Sequence, residues 1–215
     1  MILIHEPDVA LTDFALAAEC ALFAGWLHRR ARVRGPLLAA FMVFFAAVAA
    51  ASLLGGISHG FLTDQTTVLA QVVWRGTLAA IGLGAWASWI IGARMTLSEK
   101  AAARVAAFAG MLFALYLVVV LFVAQSFAVA IIHYLPAAMF LMAAFTVAYR
   151  RKPTGFLLAG LWGVALTFAA AAVQQAGIDV HPRYFNHNAL YHLIQAVAFV
   201  LIFIAARGLL RTPAF

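Results

Sequence analysis

The stretch Pro36–Leu62, PLLAAFMVFFAAVAAASLLGGISHGFL, decides the fold class of this chain. It contains no Asp, Glu, Lys or Arg and is longer than the ~20 residues that a helix needs to cross a bilayer. Only a helix satisfies every backbone N–H and C=O group within one such segment, because lipid offers no hydrogen-bonding partners. The stretch therefore predicts a transmembrane α-helix.

Six further apolar runs near this length precede and follow it. In chain order the seven runs are Val9–Leu27, Pro36–Leu62, Thr66–Ala93, Val105–Val123, Phe127–Tyr149, Thr154–Gln174 and His187–Ala206. The polar connections between them are too short to fold by themselves. The sequence predicts an all-α, polytopic membrane protein whose residues 1–215 form one seven-helix transmembrane domain.

Composition supports this class and excludes others. Of 215 residues, 67% are hydrophobic and 10% are charged, which leaves too little polar surface for a soluble globular domain. The net charge of +7 comes from short basic clusters between apolar runs, so we predict a lipid bilayer and no nucleic acid as partner. The single cysteine, Cys20, excludes an internal disulfide.

The basic residues predict the orientation. Twelve of the fourteen fall on one side of the predicted membrane: Arg29, Arg30, Arg32, Arg34, Arg94, Lys100, Arg104, Arg150, Arg151, Lys152, Arg207 and Arg211. The two exceptions are Arg75 and Arg183. By the positive-inside rule, the C-terminus is cytoplasmic and the N-terminus lies outside. The expected localisation is multi-pass in the cell membrane, here a bacterial cytoplasmic membrane.

Ionisable residues within the predicted spans mark a candidate site. Five lie at similar depth in the outer halves of their helices: His59, His133, His192, Glu19 and Arg75. Ionisable groups inside a membrane are costly unless paired or hydrated, so they normally face the bundle interior and serve a function. The alternative is a buried polar network, such as Arg75 with Glu19 or Asp64, that only fixes helix packing.

Helix periodicity groups some of these residues. Ser52 and His59 are seven apart and share a face of the second helix, while Asn188 and His192 share a face of the seventh, which Gln195 extends. Three glycines of the second helix leave room for a neighbouring helix or a ligand: Gly55, Gly56 and Gly60. Several histidines at one depth favour metal or proton chemistry, since neutral imidazole is the commonest metal ligand.

At these residues the sequence resembles the CREST superfamily of seven-helix membrane proteins, which includes alkaline ceramidases and the progestin and adipoQ receptors. Members carry a serine and a histidine on the second helix and a histidine pair at i, i+4 on the seventh. The matching stretches are Ser58-His59 and Asn188-Ala-Leu-Tyr-His192, the latter similar to the ceramidase pattern His-Ala-x-Trp-His. Asn188 replaces the first histidine of the pair, and Gly55 occupies the position of a serine.

The resemblance implies a zinc-dependent hydrolase that cleaves a lipid-like amide or ester. Its expected zinc ligands are His59 and His192, with His187 or His133 as the third, and water is the nucleophile. Ser52 or Ser58 would stabilise an oxyanion, and Arg75 would anchor an anion. The alternative function is a non-enzymatic receptor, sensor or transporter that uses the same polar residues.

Overall fold

A computed structural model describes residues 4–30, 35–181 and 184–211. Within these ranges the backbone forms seven α-helices and no β-strand. They are α1 (Pro7–Arg30), α2 (Pro36–Phe61), α3 (Val68–Thr96), α4 (Glu99–Phe122), α5 (Phe127–Arg151), α6 (Gly155–Gln175) and α7 (His187–Leu209). All seven are long and apolar enough to cross a membrane, which confirms the predicted fold class.

Local capping explains where the helices begin. Pro36 starts α2, where its missing N–H costs nothing, and the Thr67 hydroxyl accepts a hydrogen bond from the backbone of Ala70 at the start of α3. The largest difference from the predicted bounds is in α4, which begins at Glu99 instead of Val105. The Ser98 hydroxyl caps this helix, so its first turn is polar and precedes the apolar run.

Six of the seven helices form a ring, and α4 lies outside it. The closely packed neighbours follow the order α1, α2, α3, α5, α6 and α7, and α7 returns to α1. Helix α4 packs against α3 and has few buried residues: Ala102, Ala109, Tyr116 and Val120. The interior of the bundle is therefore built by every helix except α4.

The two ends of the bundle differ in character. We call the end where α1, α3, α5 and α7 begin the N-terminal end, and the opposite end the basic end. Ten of the twelve clustered basic residues lie within the described ranges, at the basic end; Arg32, Arg34 and Arg183 lie outside the described residues. A tightly packed aromatic core that includes Phe41, Phe44, Phe45 and Phe145 fills the half of the bundle toward the basic end.

The glycines of α2 lie where α1 packs closely against this helix. A Cβ atom on Gly56 would lie 2.8 Å from the Phe14 ring, and one on Gly60 would lie 3.1 Å from the Cβ of Ala10. Both contacts come from α1, which can approach this closely only because side chains are absent. For Gly56 and Gly60, the structure supports the packing of a neighbouring helix.

Candidate functional site

A central cavity of about 420 Å³ occupies the ring toward the N-terminal end. All six ring helices line it, and α4 does not. Its polar lining residues are Asp13, Ser52, His59, Trp74, Thr77, Tyr134, Thr167, Gln174, Gln175, Asn188, Tyr191, His192 and Gln195. Along α7 the lining runs from Asn188 to Phe199, about 16 Å at the rise of an α-helix. The cavity thus joins a polar mouth to an apolar interior.

His192 makes the most informative contact in this cavity. Its Nε2 lies 3.3 Å from Oδ1 of Asp13, a carboxylate of α1 that is only 3% exposed, and its Nδ1 lies 3.2 Å from the Thr12 hydroxyl. The single hydroxyl hydrogen of Thr12 is directed at the backbone carbonyls of Asp8 and Val9. In the His192 tautomer that carries its proton on Nδ1, the hydroxyl oxygen accepts a hydrogen bond from Nδ1–H. In the neutral imidazole, Nε2 then presents a lone pair to Asp13.

His59 is held by a second carboxylate. Its Nδ1 lies 2.6 Å from Oε2 of Glu6, in the segment just before α1. That segment is anchored on α2, because the His5 N–H donates to the carbonyl of Gly60 at 3.1 Å. With the Nδ1 proton directed at Glu6, the Nε2 lone pair of His59 is available for a ligand. His59 and His192 line the same cavity.

The predicted site residues Ser52, Ser58 and His187 do not all line the cavity. Ser52 lines the cavity on the same helix as His59, as the seven-residue spacing predicts. Ser58 is buried but does not line the cavity. His187 lies at the mouth, where its Nδ1 contacts Asp179 Oδ1 at 3.0 Å, and it is also absent from the lining. Of these residues, only Ser52 joins His59 and His192.

His133 lies in a different place. It lines a groove of about 290 Å³ between α4 and α5, beside Tyr116 and Trp89. Its ring stacks on Tyr116 with 4.2 Å between the centroids. The structure therefore does not bring His133 to the central cavity, and the predicted alternatives for a third zinc ligand, His187 and His133, both stand apart from His59 and His192.

Arg75 does not form the predicted pairs. Among the described residues it makes no salt bridge, neither with Glu19 nor with Asp64, and its Nε is buried without a hydrogen-bonding partner. Asp64 instead accepts hydrogen bonds from the hydroxyl and backbone N–H of Thr66, which hold the pKa of this carboxyl below its ordinary value. The prediction that Arg75 pairs with either carboxylate is wrong. Arg75 is also absent from the cavity lining.

Sequence reasoning missed the two carboxylates beside the histidines, Asp13 and Glu6. Asp13 is an ionisable residue within the first apolar run, which is a recognisable signal, but the sequence does not tell which helix it faces. Within the ranges that the structure describes, no three His, Cys, Asp or Glu side chains are arranged as a metal site. Asp13, His59 and His192 line one cavity.

Comparisons with known proteins give a family but no activity. No curated protein matches the sequence. One family model matches residues 9–211, which include all seven helices except the first residues of α1. The match covers almost the whole chain, so the protein belongs to the family of unknown function DUF6962.

Proposed function

We propose that the protein is a zinc-dependent integral membrane hydrolase that cleaves a lipid-like amide or ester in the central cavity. The contact between His192 and Asp13 carries the proposal. A lone pair on Nε2 and a carboxylate oxygen 3.3 Å apart repel each other unless a cation lies between them. Two ligand atoms bound at ~2.0–2.1 Å in a tetrahedral zinc site are also ~3.3 Å apart.

His59 is the proposed third ligand, through Nε2. The two imidazoles share an arrangement typical of zinc ligands, in which the second ring nitrogen is hydrogen-bonded to an orienting group. That group is Glu6 for His59 and Thr12 for His192. The second carboxylate oxygen of Asp13, Oδ2, is buried and has no hydrogen-bonding partner, which also fits a ligand role. Asp13 thus completes the set of three proposed zinc ligands with His59 and His192, in place of His187 or His133.

The remaining lining residues support binding of an amphipathic substrate. A bound zinc would supply an activated water and polarise the scissile carbonyl. The Tyr191 hydroxyl accepts a hydrogen bond from Gln195 at 3.1 Å, so its own proton is free to stabilise an oxyanion near His192. Ser52 lies about 10 Å deeper than His59 along α2 and would bind a polar group further along the substrate. Leu16, Val48 and Phe199 would hold the hydrocarbon chain.

Elemental analysis of purified protein tests the metal. We expect about one zinc per chain, and loss of zinc in the double variant His59→Ala, His192→Ala. The matched control is His133→Ala with His187→Ala, which removes two histidines outside the cavity and should keep the metal. Asn188→His should tighten binding if the CREST-like geometry holds. Zinc-free protein that retains full hydrolase activity would contradict the proposal.

The proposed orientation has the basic end in the cytoplasm of a bacterial cell and the N-terminal end outside. Single-cysteine variants on a Cys20→Ala background test it. Asp179→Cys should react with an impermeant thiol reagent added outside, and Lys100→Cys should react only after the membrane is opened. The reverse pattern would overturn this orientation.

A second candidate, a receptor, sensor or transporter, is favoured by the same contact if the cation between Asp13 and His192 is a proton. The pair Glu6 and His59 then forms a second carboxylate–imidazole unit on the path from the mouth. Zinc content separates the two functions, because protein that lacks zinc but takes up protons in proteoliposomes, with uptake lost in Asp13→Asn, would favour the transporter.

A further inference from the structure

Arg75 is partly exposed on α3 and lies outside the central cavity. It is seven residues from the start of the helix, about 10 Å along the axis. Three exposed residues of the preceding turns, Val68, Gln71 and Val72, lie within about a sixth of a turn of it around the helix. Val68 is 78% exposed and Val72 is 58% exposed. Gly82, seven residues further along the same face, packs against Tyr116 of α4, so α4 covers this face deeper in the bundle and leaves it open toward the N-terminal end, where Arg75 is partly exposed.

The protein gives this arginine no anionic partner among the described residues. No salt bridge or hydrogen bond involves its side chain, and its Nε is buried without a partner. The preceding residue, Trp74, lines the cavity, but Arg75 does not. A guanidinium at this depth costs several kcal/mol unless an anion offsets its charge.

Its position is also exceptional for a cation in this chain. Among the described residues, Arg75 is the only Lys or Arg in the half of the bundle toward the N-terminal end. A long arginine side chain can extend from this depth to the boundary between hydrocarbon and headgroups. The anions present at that boundary are the phosphates of lipids, and the planar guanidinium binds a phosphate through two parallel hydrogen bonds.

We propose that Arg75 binds the phosphate of a phospholipid in the leaflet that surrounds the N-terminal end of the bundle. This site is separate from the central cavity and does not depend on the function proposed for it. The lipid phosphate offsets the charge of an arginine that the protein itself leaves unpaired.

Native mass spectrometry and thermal unfolding in detergent test this site. The probes are a phosphatidylglycerol, a diacylglycerol with the same acyl chains, and inorganic phosphate. For the unmodified protein, we expect tight retention of one phospholipid and a rise in melting temperature with phosphatidylglycerol only. In Arg75→Leu, retention of that lipid should fall about tenfold or more, as expected for the loss of charged hydrogen bonds. Arg75→Lys should retain an intermediate amount, because it keeps the charge but loses the paired hydrogen bonds.

The control variant is Arg104→Leu, an exposed arginine on α4 toward the basic end, which should leave this retention unchanged. Leucine suits a partly exposed position on an apolar membrane helix, so Arg75→Leu should fold without added lipid. Equal phospholipid retention in Arg75→Leu would overturn the proposal. So would an equal thermal shift with diacylglycerol or inorganic phosphate, or dissociation of an oligomer in Arg75→Leu, which would assign Arg75 to a contact between copies.

Discussion

His192 and His133 lie at similar depth in the same bundle, yet their surroundings differ in one decisive respect. In the central cavity, His192 faces the Asp13 carboxylate at 3.3 Å. In the groove between α4 and α5, His133 stacks on Tyr116, and its buried Nε2 has no hydrogen-bonding partner among the described residues. Depth and residue type alone therefore do not identify a functional histidine in a membrane. In the proposed function, the carboxylate beside His192 is what requires a cation between the two side chains.

The difference originates in α1. This helix and the segment before it supply Glu6 and Asp13 to histidines of α2 and α7. The groove around His133 is lined by α3, α4 and α5 and contains no acidic residue. Tyr116 does not supply a free hydroxyl either, because its own proton is donated to the carbonyl of Leu78 at 2.8 Å. We therefore interpret His133 as a packing residue.

Among the substitutions that test this comparison, Asp13→Asn should lower zinc affinity most, because it removes the negative charge of the carboxylate but keeps the shape of the side chain. The amide of asparagine can donate to His192 Nε2, so no cation is required between the two side chains. We expect zinc affinity to fall by more than the ~10–100-fold typical of groups that only orient a ligand. Zinc titration of the purified variant measures this, and circular dichroism checks that it remains folded.

The matched control is Asp179→Asn, which changes the aspartate beside His187 at the mouth. It should leave zinc affinity unchanged, because this pair does not line the cavity. If both substitutions lower zinc affinity equally, the central cavity has no special role and the contrast between the histidine sites fails.

The sequence predicts the fold well because the fold depends on the length and apolarity of segments. Each of the seven predicted runs overlaps its helix, and six of the seven begin within two residues of the observed start. The sequence does not predict the start of α4, because the first turn of this helix, which Ser98 caps, is polar and lies outside the apolar run. Ser52 and His59, which helix periodicity puts on one face, do line one cavity.

The candidate site is predicted less completely because it depends on which helices are neighbours. Periodicity gives the face of a residue within one helix, and depth gives its level in the membrane. Neither indicates that α1 packs against α2 and α7, which brings Asp13 to His192. Neither indicates that α4 lies outside the ring, where its Tyr116 stacks on His133 in a groove apart from the cavity.

Glu6→Gln tests the outer contact of the site and should have a smaller effect than Asp13→Asn. Glu6 orients His59 through Nδ1 and is not a proposed ligand itself. Replacing such an orienting carboxylate typically weakens metal binding by ~10–100-fold. Zinc titration provides the measurement, with Glu99→Gln at the basic end as the control that removes a carboxylate far from the cavity. Unchanged zinc affinity in Glu6→Gln would show that His59 does not need this partner.

His133→Phe should have the smallest effect and gives the sharpest test of the contrast. Phenylalanine preserves an aromatic ring against Tyr116 and removes both ring nitrogens, so we expect unchanged zinc content and a change in stability below about 1 kcal/mol. His133→Ala removes the stacked ring as well and should cost at least the ~0.5–1.5 kcal/mol of an aromatic pair, again without loss of zinc. At His192, the substitutions to Phe and to Ala should both abolish zinc binding, because each removes the ring nitrogen that binds zinc. Thermal unfolding and elemental analysis of the four variants make the comparison. Loss of zinc in His133→Phe would restore His133 as a ligand and require its side chain to turn from the groove into the central cavity.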